Sequence, residues 1–223
     1  MIYIPFLQQQ GCVPYGTLKL WLQRWAELAD DTPVALLTDT ATMNAIATDI
    51  HIKDDKPVMP PQLCGIPLVV CRPENYEQVI RPGNVLDRRS ALILDALATI
   101  GPALIVDLEV VPTREICEIV APLIAMRDPI AMRCSRHAAD IKWFTPGGLD
   151  IMVPHNDATV LAFVYPLPSF RDAIIADYIK AWTWATAGNI PGFTASAAWS
   201  LTNYWAEGAV LNYNDFTYLE SNL

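Results

Sequence analysis

Basic residues are scarce in this chain: 15 Lys plus Arg stand against 24 Asp plus Glu, a formal charge of −9. A protein that binds by neutralising phosphate backbones shows the opposite balance, so nucleic acid is not expected as a partner. The acids are dispersed, with only short pairs such as Asp30-Asp31 and Asp54-Asp55, so no acidic tail is available for docking. Charge is low altogether, 17% of residues against 52% hydrophobic, which removes disordered, collagen-like and coiled-coil compositions. The five cysteines form no CxxC pair, and a reducing cytoplasm is the expected compartment. Cys134 and His137, in CSRH, lack the second ligand pair that a structural zinc site needs. The start MIYIPFLQQQ has no basic n-region, and the most apolar stretch, Ala91 to Val111, is broken by Asp95, Gly101-Pro102 and Asp107. Neither an export signal nor a membrane span is therefore expected. The ten glycines form neither GxxxxGK[ST] nor GxGxxG, and no GxSxG is present, which disfavours P-loop NTPases, dinucleotide-dependent dehydrogenases and serine hydrolases.

What the sequence does contain is an alternation of strand-length apolar runs with helix-period segments, and this predicts an α/β fold with a mostly parallel central sheet flanked by helices. A chain of 223 residues suits a single domain over 1–223, able to bury roughly 70% of its unfolded surface without disulfides or a structural metal. Ile2 to Leu7 and PVALLTD read as the first two strands. Between them, Thr17 can cap a helix through Ala29 with Leu18, Leu22, Trp25 and Leu28 on one face. The segment from Thr40 to Arg72 is irregular until the apolar run IPLVVC, and a loop of that length is often functional. The turn Arg81-Pro82-Gly83-Asn84 should start a helix with Asn84 as N-cap, ended by Gly101-Pro102. ALIVDLEV then reads as a central strand buried on both faces, with a helix from Pro112-Thr113. A strand near Pro129 to Arg133, the strands LDIMV and TVLAFVY, and helices from Ser169 to Ala187 and Thr194 to Glu207 complete the pattern. Four of the seven tryptophans, Trp182, Trp184, Trp199 and Trp205, fall in these last helices. The helical spacing of Tyr178, Trp182 and Ala185 assigns this aromatic group to the core, and no aromatic is expected in a site.

The chemistry is expected at Asp107-Leu108-Glu109. Residues two apart on a strand share a face, and ligand crevices of open α/β sheets lie beyond the carboxyl ends of strands. Two carboxylates there could hold Mn²⁺ or Mg²⁺, because such hard cations keep positions for water and substrate phosphates. The alternative is a strand emerging into solvent, its acids paired with Arg114, Arg88 or Arg89. Asp39, at the end of PVALLTD, is a candidate ligand contact near that crevice or else an N-cap. Asp150 is a candidate general base or else a loop acid.

The segment RRSALILDALATIGPALIVDLEVVP, Arg88 to Pro112, resembles the glycosyltransferases of the GT-A fold, especially the glycogenin-like group. In that family an apolar strand ends in an Asp-x-Asp motif that holds Mn²⁺ and the diphosphate of a sugar nucleotide. Asp107 matches the first acid, Glu109 stands where the second Asp would be, and Arg88 or Arg89 corresponds to the basic residue near the diphosphate. LLTDTAT, Leu36 to Thr42, is similar to the family's second-strand end, and GGLDIMVPHND, Gly147 to Asp157, to the strand and turn beside its sugar pocket, so the resemblance implies a nucleoside contact for Asp39 and a sugar-pocket role for Asp150. The resemblance implies a single Rossmann-like GT-A domain that moves a sugar from a nucleotide-sugar donor to a hydroxyl acceptor with a divalent metal. The departures are Glu109 itself, an Asn-x-Gly-Val element present only as Gly148-Leu149-Asp150, and the absence of any histidine after His155. They leave open a non-catalytic protein that retains a degenerate form of this fold.

Overall fold

The computed structural model describes residues 1–7, 15–28, 32–46, 52–53, 56–57, 62–135, 140–144, 150–164, 168–187 and 194–219. In chain order the elements are β1 (Ile2–Pro5), α1 (Tyr15–Leu28), β2 (Val34–Asp39), α2 (Thr40–Ala45), β3 (Ile52–Lys53), β4 (Lys56–Pro57), β5 (Gln62–Leu63) and β6 (Ile66–Cys71). A 3₁₀ segment, Pro73–Val79, leads to α3 (Val85–Leu97), β7 (Ala103–Val106), β8 (Val110–Pro112), α4 (Ile116–Met126), β9 (Ala131–Cys134), β10 (Asp140–Phe144) and β11 (Asp150–Pro154). The remainder comprises β12 (Asn156–Phe163), α5 (Pro168–Ala187), α6 (Thr194–Trp205), β13 (Ala209–Leu211) and β14 (Phe216–Tyr218). Eight strands form one sheet in the order β13-β9-β12-β7-β1-β2-β6-β5. The pairs β7-β1, β1-β2, β2-β6 and β13-β9 are parallel, and β12 runs antiparallel to both neighbours.

The continuous apolar strands are buried on both faces, as a helix-covered sheet requires. Ile105 of β7, with Tyr3, Leu37 and Leu161, faces a core built with α3, α5 and α6. The alternate residues Leu104 and Val106, with Ile2, Ile4 and Val160, face a second core that holds Leu22 and Trp25 of α1 and Ile119 and Leu123 of α4. Asn84 caps α3 as its sequence predicts, accepting the Asp87 N–H at 3.0 Å. The turn before it closes with Asn84 N–H to Arg81 O at 3.0 Å and needs Gly83, whose φ is +73°.

Two expectations are corrected. ALIVDLEV is not one strand: β7 stops at Val106, and Asp107, Leu108 and Glu109 form a tight turn closed by the Val110 N–H on Asp107 O at 2.9 Å. Asp107 and Glu109 therefore do not share a strand face. The turn is held from outside, because the buried Trp25 indole N–H donates to Leu108 O at 3.0 Å and the Leu219 N–H to Glu109 O at 2.7 Å. Likewise the helix expected from Pro112-Thr113 starts only at Ile116, because Val110–Pro112 pairs with β14, about a hundred residues away in sequence. The strand pairing outcompetes local helix preference there.

Asp87 is wholly buried beneath α3 and accepts from Arg81 Nε at 2.6 Å and Nη2 at 3.1 Å, while Arg81 Nη1 reaches Thr194 Oγ1, at the start of α6, at 3.0 Å. This group fastens α6 to α3. Asp87→Ala is expected to lower the unfolding free energy by about 1–2 kcal/mol, because charge-assisted hydrogen bonds from Arg81, itself 40% exposed and so able to be hydrated, are lost; urea unfolding of both proteins measures it.

Candidate functional site

A cavity of about 480 Å³ opens beyond the carboxyl end of β7, beside the first residues of the antiparallel β12. Its walls include Arg89 and Ser90 of α3, Asp107, His155, Asp157 to Thr159 of β12, Ser196 and Trp199 of α6, and Tyr213 and Tyr218. Residue 88 and residue 89 point about 100° apart on a helix, and this separates the two arginines. Arg89 faces the cavity, with Nε on Asp107 Oδ1 at 2.6 Å and Nη2 on Ala158 O at 2.9 Å. Arg88 turns away to Asp39 Oδ2, 2.9 Å from Nε, and to Glu74 at 3.7 Å.

Asp39 ends β2 and caps α2, its Oδ1 accepting the Thr42 N–H at 2.7 Å. Burial opposes its charge, yet the Thr42 N–H and the Arg88 guanidinium outweigh burial and hold its pKa below the ordinary value. Neither Asp39 nor Arg88 lines the cavity. Asp150 opens β11 opposite Phe144, and its side chain lies outside what the structure describes, as do His137 and Gly148-Leu149. The structure thus brings Asp107 and Arg89 together at the cavity and Asp39 and Arg88 together beside it.

Asp107 is an acid under electrostatic stress. Burial pushes its pKa up, and the charges of Glu109 and Asp157 push it further, to about 6, although Arg89 opposes them. Its Oδ2 accepts no hydrogen bond among the described residues, and the Glu109 carboxylate has neither hydrogen bond nor salt bridge there. Among the described residues no three His, Cys, Asp or Glu side chains converge on a point that could hold a metal. A hard cation could still fit, since one or two carboxylates suffice when phosphate and water complete the shell.

The other cavity walls are set by tertiary contacts. The Trp199 indole N–H donates to Ser90 Oγ at 3.1 Å, and the ring stacks 4.3 Å from that of Tyr178. Arg133, fully buried, lies 4.3 Å from the Tyr213 ring and 5.2 Å from the Tyr218 ring, and donates to Phe216 O at 2.8 Å. Asp157 Oδ2 is 3.4 Å from Arg133 Nη1 and accepts from the Tyr218 hydroxyl at 3.3 Å. The segment Gly147 to Asp157 had pointed to the His155 and Asp157 region; for Ser196, Trp199, Tyr213 and Tyr218 the sequence carries no signal that separates them from core or loop.

No protein-family description and no curated protein matches the chain. Solved structures do. A galactosyltransferase, LgtC, in complex with donor and acceptor sugar analogues, superposes with a TM-score of 0.54 over 95% of this chain and 73% of that one, at 13% identity. The fold is GT-A-like. A structure of an active-site mutant of LgtC gives a TM-score of 0.55, again at 13% identity, covering 95% and 72% of the two chains. At that identity the likeness establishes architecture, and activity has to be argued from the site.

The raised pKa of Asp107 makes a stability prediction. Folding favours its protonated form, so the contribution is complete below the ordinary value of 3.8 and is lost as pH rises through about 6. Asp107→Asn removes this titration. The free energy of unfolding of the variant relative to the parent should therefore rise by about 2 kcal/mol between pH 4 and pH 7, read from urea unfolding at each pH; a pH-independent difference would mean that Asp107 is ordinarily solvated.

Proposed function

We propose that the protein transfers a sugar from a nucleotide-sugar donor to a hydroxyl acceptor, with the donor diphosphate bound at Arg89 and Asp107. The observation that carries this reading is the cavity at the carboxyl end of β7, on a GT-A-like fold, with a partly buried arginine at its rim. Arg89 is oriented by Asp107 and Ala158 O through Nε and Nη2, while Nη1 has no hydrogen-bond partner among the described residues. Aimed at a diphosphate, that group would stabilise the charge that develops as the bond from the anomeric carbon to phosphate breaks. Because the guanidinium is already fixed, it need not reorganise during the reaction.

Asp107 and Glu109 are the residues that would hold Mn²⁺ or Mg²⁺. A Glu109 carboxylate close enough to disfavour the charge of Asp107, with Asp107 Oδ2 and the Glu109 oxygens not engaged among the described residues, supports that assignment. Such an ion, when bound, neutralises part of the negative charge of the leaving diphosphate. Asp39 and Arg88 would shape the nucleoside end of the site by joining α2 to α3. The acceptor is an unidentified hydroxyl compound, and the proposed setting is a cytoplasm without nucleic-acid partners. Among the described residues Cys71, Cys117 and Cys134 form no disulfide. Among the described residues no helix is long and apolar enough to cross a membrane.

Calorimetric titration with Mn²⁺ and a panel of UDP-, GDP- and dTDP-sugars tests the reading. One donor should bind saturably, and Asp107→Asn should weaken it at least tenfold at a temperature where circular dichroism shows the variant folded. Equal affinity in the variant would reject Asp107 as a binding residue. No binding of any donor would leave the non-catalytic alternative, which the ion pair already formed by Arg89 with Asp107 favours.

A further inference from the structure

The turn that carries the two acids is held by more hydrogen bonds than its closure requires, and every peptide plane flanking Asp107 and Glu109 has a partner. The Asp107 N–H donates to Thr159 O at 2.9 Å and the Val110 N–H to Asp107 O at 2.9 Å, which fixes the planes on either side of Asp107. The plane between Leu108 and Glu109 is fixed by the Trp25 indole N–H on Leu108 O at 3.0 Å, and the plane after Glu109 by the Leu219 N–H on Glu109 O at 2.7 Å. Two fixed planes determine φ and ψ of the residue between them, and so the direction in which its side chain leaves the chain. Of the four donors only Trp25 is a side chain. It reaches the turn from α1, 83 positions away in sequence, and the hydrogen bond is buried. Removing that N–H leaves a carbonyl without a partner in an apolar core, a cost that a tilt of the peptide plane towards another donor relieves.

We infer that Trp25 is a positioning residue for a divalent cation at Asp107 and Glu109, acting through Leu108 O, with the Leu219 N–H as its counterpart on the other side of Glu109; the inference rests on the proposed metal site. A glutamate has one side-chain torsion more than an aspartate and loses more freedom when it ligates. A turn fixed beforehand leaves only the side-chain torsions of Glu109 to be ordered when the cation arrives. Groups that orient metal ligands from behind in this way typically change metal affinity about 10–100-fold. Core packing accounts for the buried ring of Trp25 and not for the aim of its N–H. Leu22, one turn earlier on α1 and equally buried in the same cluster, packs there with no polar atom to offer the turn. The two residues therefore separate packing from positioning.

The test measures binding of Mn²⁺ alone, without donor, to the full-length protein from the electron paramagnetic resonance signal of free Mn²⁺, at a temperature where circular dichroism shows each variant folded. Asp107→Asn identifies the site by the binding it removes. Trp25→Phe keeps an aromatic ring and loses the N–H, and Leu219→Pro removes the other donor; each is expected to raise the Mn²⁺ Kd at that site about 10–100-fold. Leu22→Ala, which opens a cavity in the same core, is expected to stay within about threefold of the parent. A Kd within threefold of the parent in Trp25→Phe overturns the inference, and so does an equal rise in Trp25→Phe and Leu22→Ala, which is the signature of a loosened core. In both cases the metal site itself stands. Should Trp25→Phe not fold, Leu219→Pro decides by the same thresholds. A parent whose Mn²⁺ binding Asp107→Asn leaves unchanged holds no metal at these acids, and the inference falls together with the proposed metal site.

Discussion

The ion pair between Arg89 and Asp107 joins three elements at the point where the sheet opens: α3 contributes the cation, the end of β7 the anion, and β12 a carbonyl through Ala158. Both side chains are largely buried, 11% and 17% exposed, in a place where an isolated charge would be costly. Neither would be kept there without the other. Two more carboxylates, those of Glu109 and Asp157, add negative charge around Asp107, and with Arg133 on Asp157 the local balance is two guanidinium groups against three acids. A site with that surplus favours a cation, and one whose cation is an arginine with an unengaged nitrogen also favours phosphate. These opposed preferences suit a ligand that brings both.

The rest of the fold serves to hold that corner open. The turn Asp107–Val110 cannot collapse over the cavity, because α1 pins it through Trp25 and the chain end pins it through Leu219. On the far wall, Arg133 is buried against two tyrosine rings and three carbonyl or carboxylate groups, which ties the C-terminal segment to β9 and to Asp157. Asp87 and Arg81 do the same for α6, whose first turn presents Ser196. Each cavity wall thus depends on a buried polar contact that is expensive to break and specific in direction.

Much of the fold was legible because burial on both faces leaves a mark that needs no partner to be seen. Val34–Asp39 and Ile66–Cys71 coincide with their apolar runs, and α3 begins where Asn84 and Gly83 say it should. Of the candidate site, Asp107 and Arg89 were legible for a related reason: a buried strand that ends in an acid, facing a helix that opens on arginines, is unusual in sequence. Legibility failed at Glu109, where periodicity continued a strand that hydrogen bonds from Trp25 and Leu219 turn aside. It failed also at β8 and β14, which are three residues each and exist only through pairing with one another.

The sequence by itself determined the layered α/β architecture, the central strand and the nature of its charged end, since apolar period and capping act between neighbours in the chain. The tertiary structure alone decided which of two adjacent arginines meets Asp107, that Asp39 pairs with Arg88, and that His155, Ser196, Trp199 and two C-terminal tyrosines share a cavity with it. Those outcomes depend on strand order, helix rotation and contacts between residues 18 to more than 100 positions apart. No local preference encodes such distances; they follow from the packing of the two cores against the sheet.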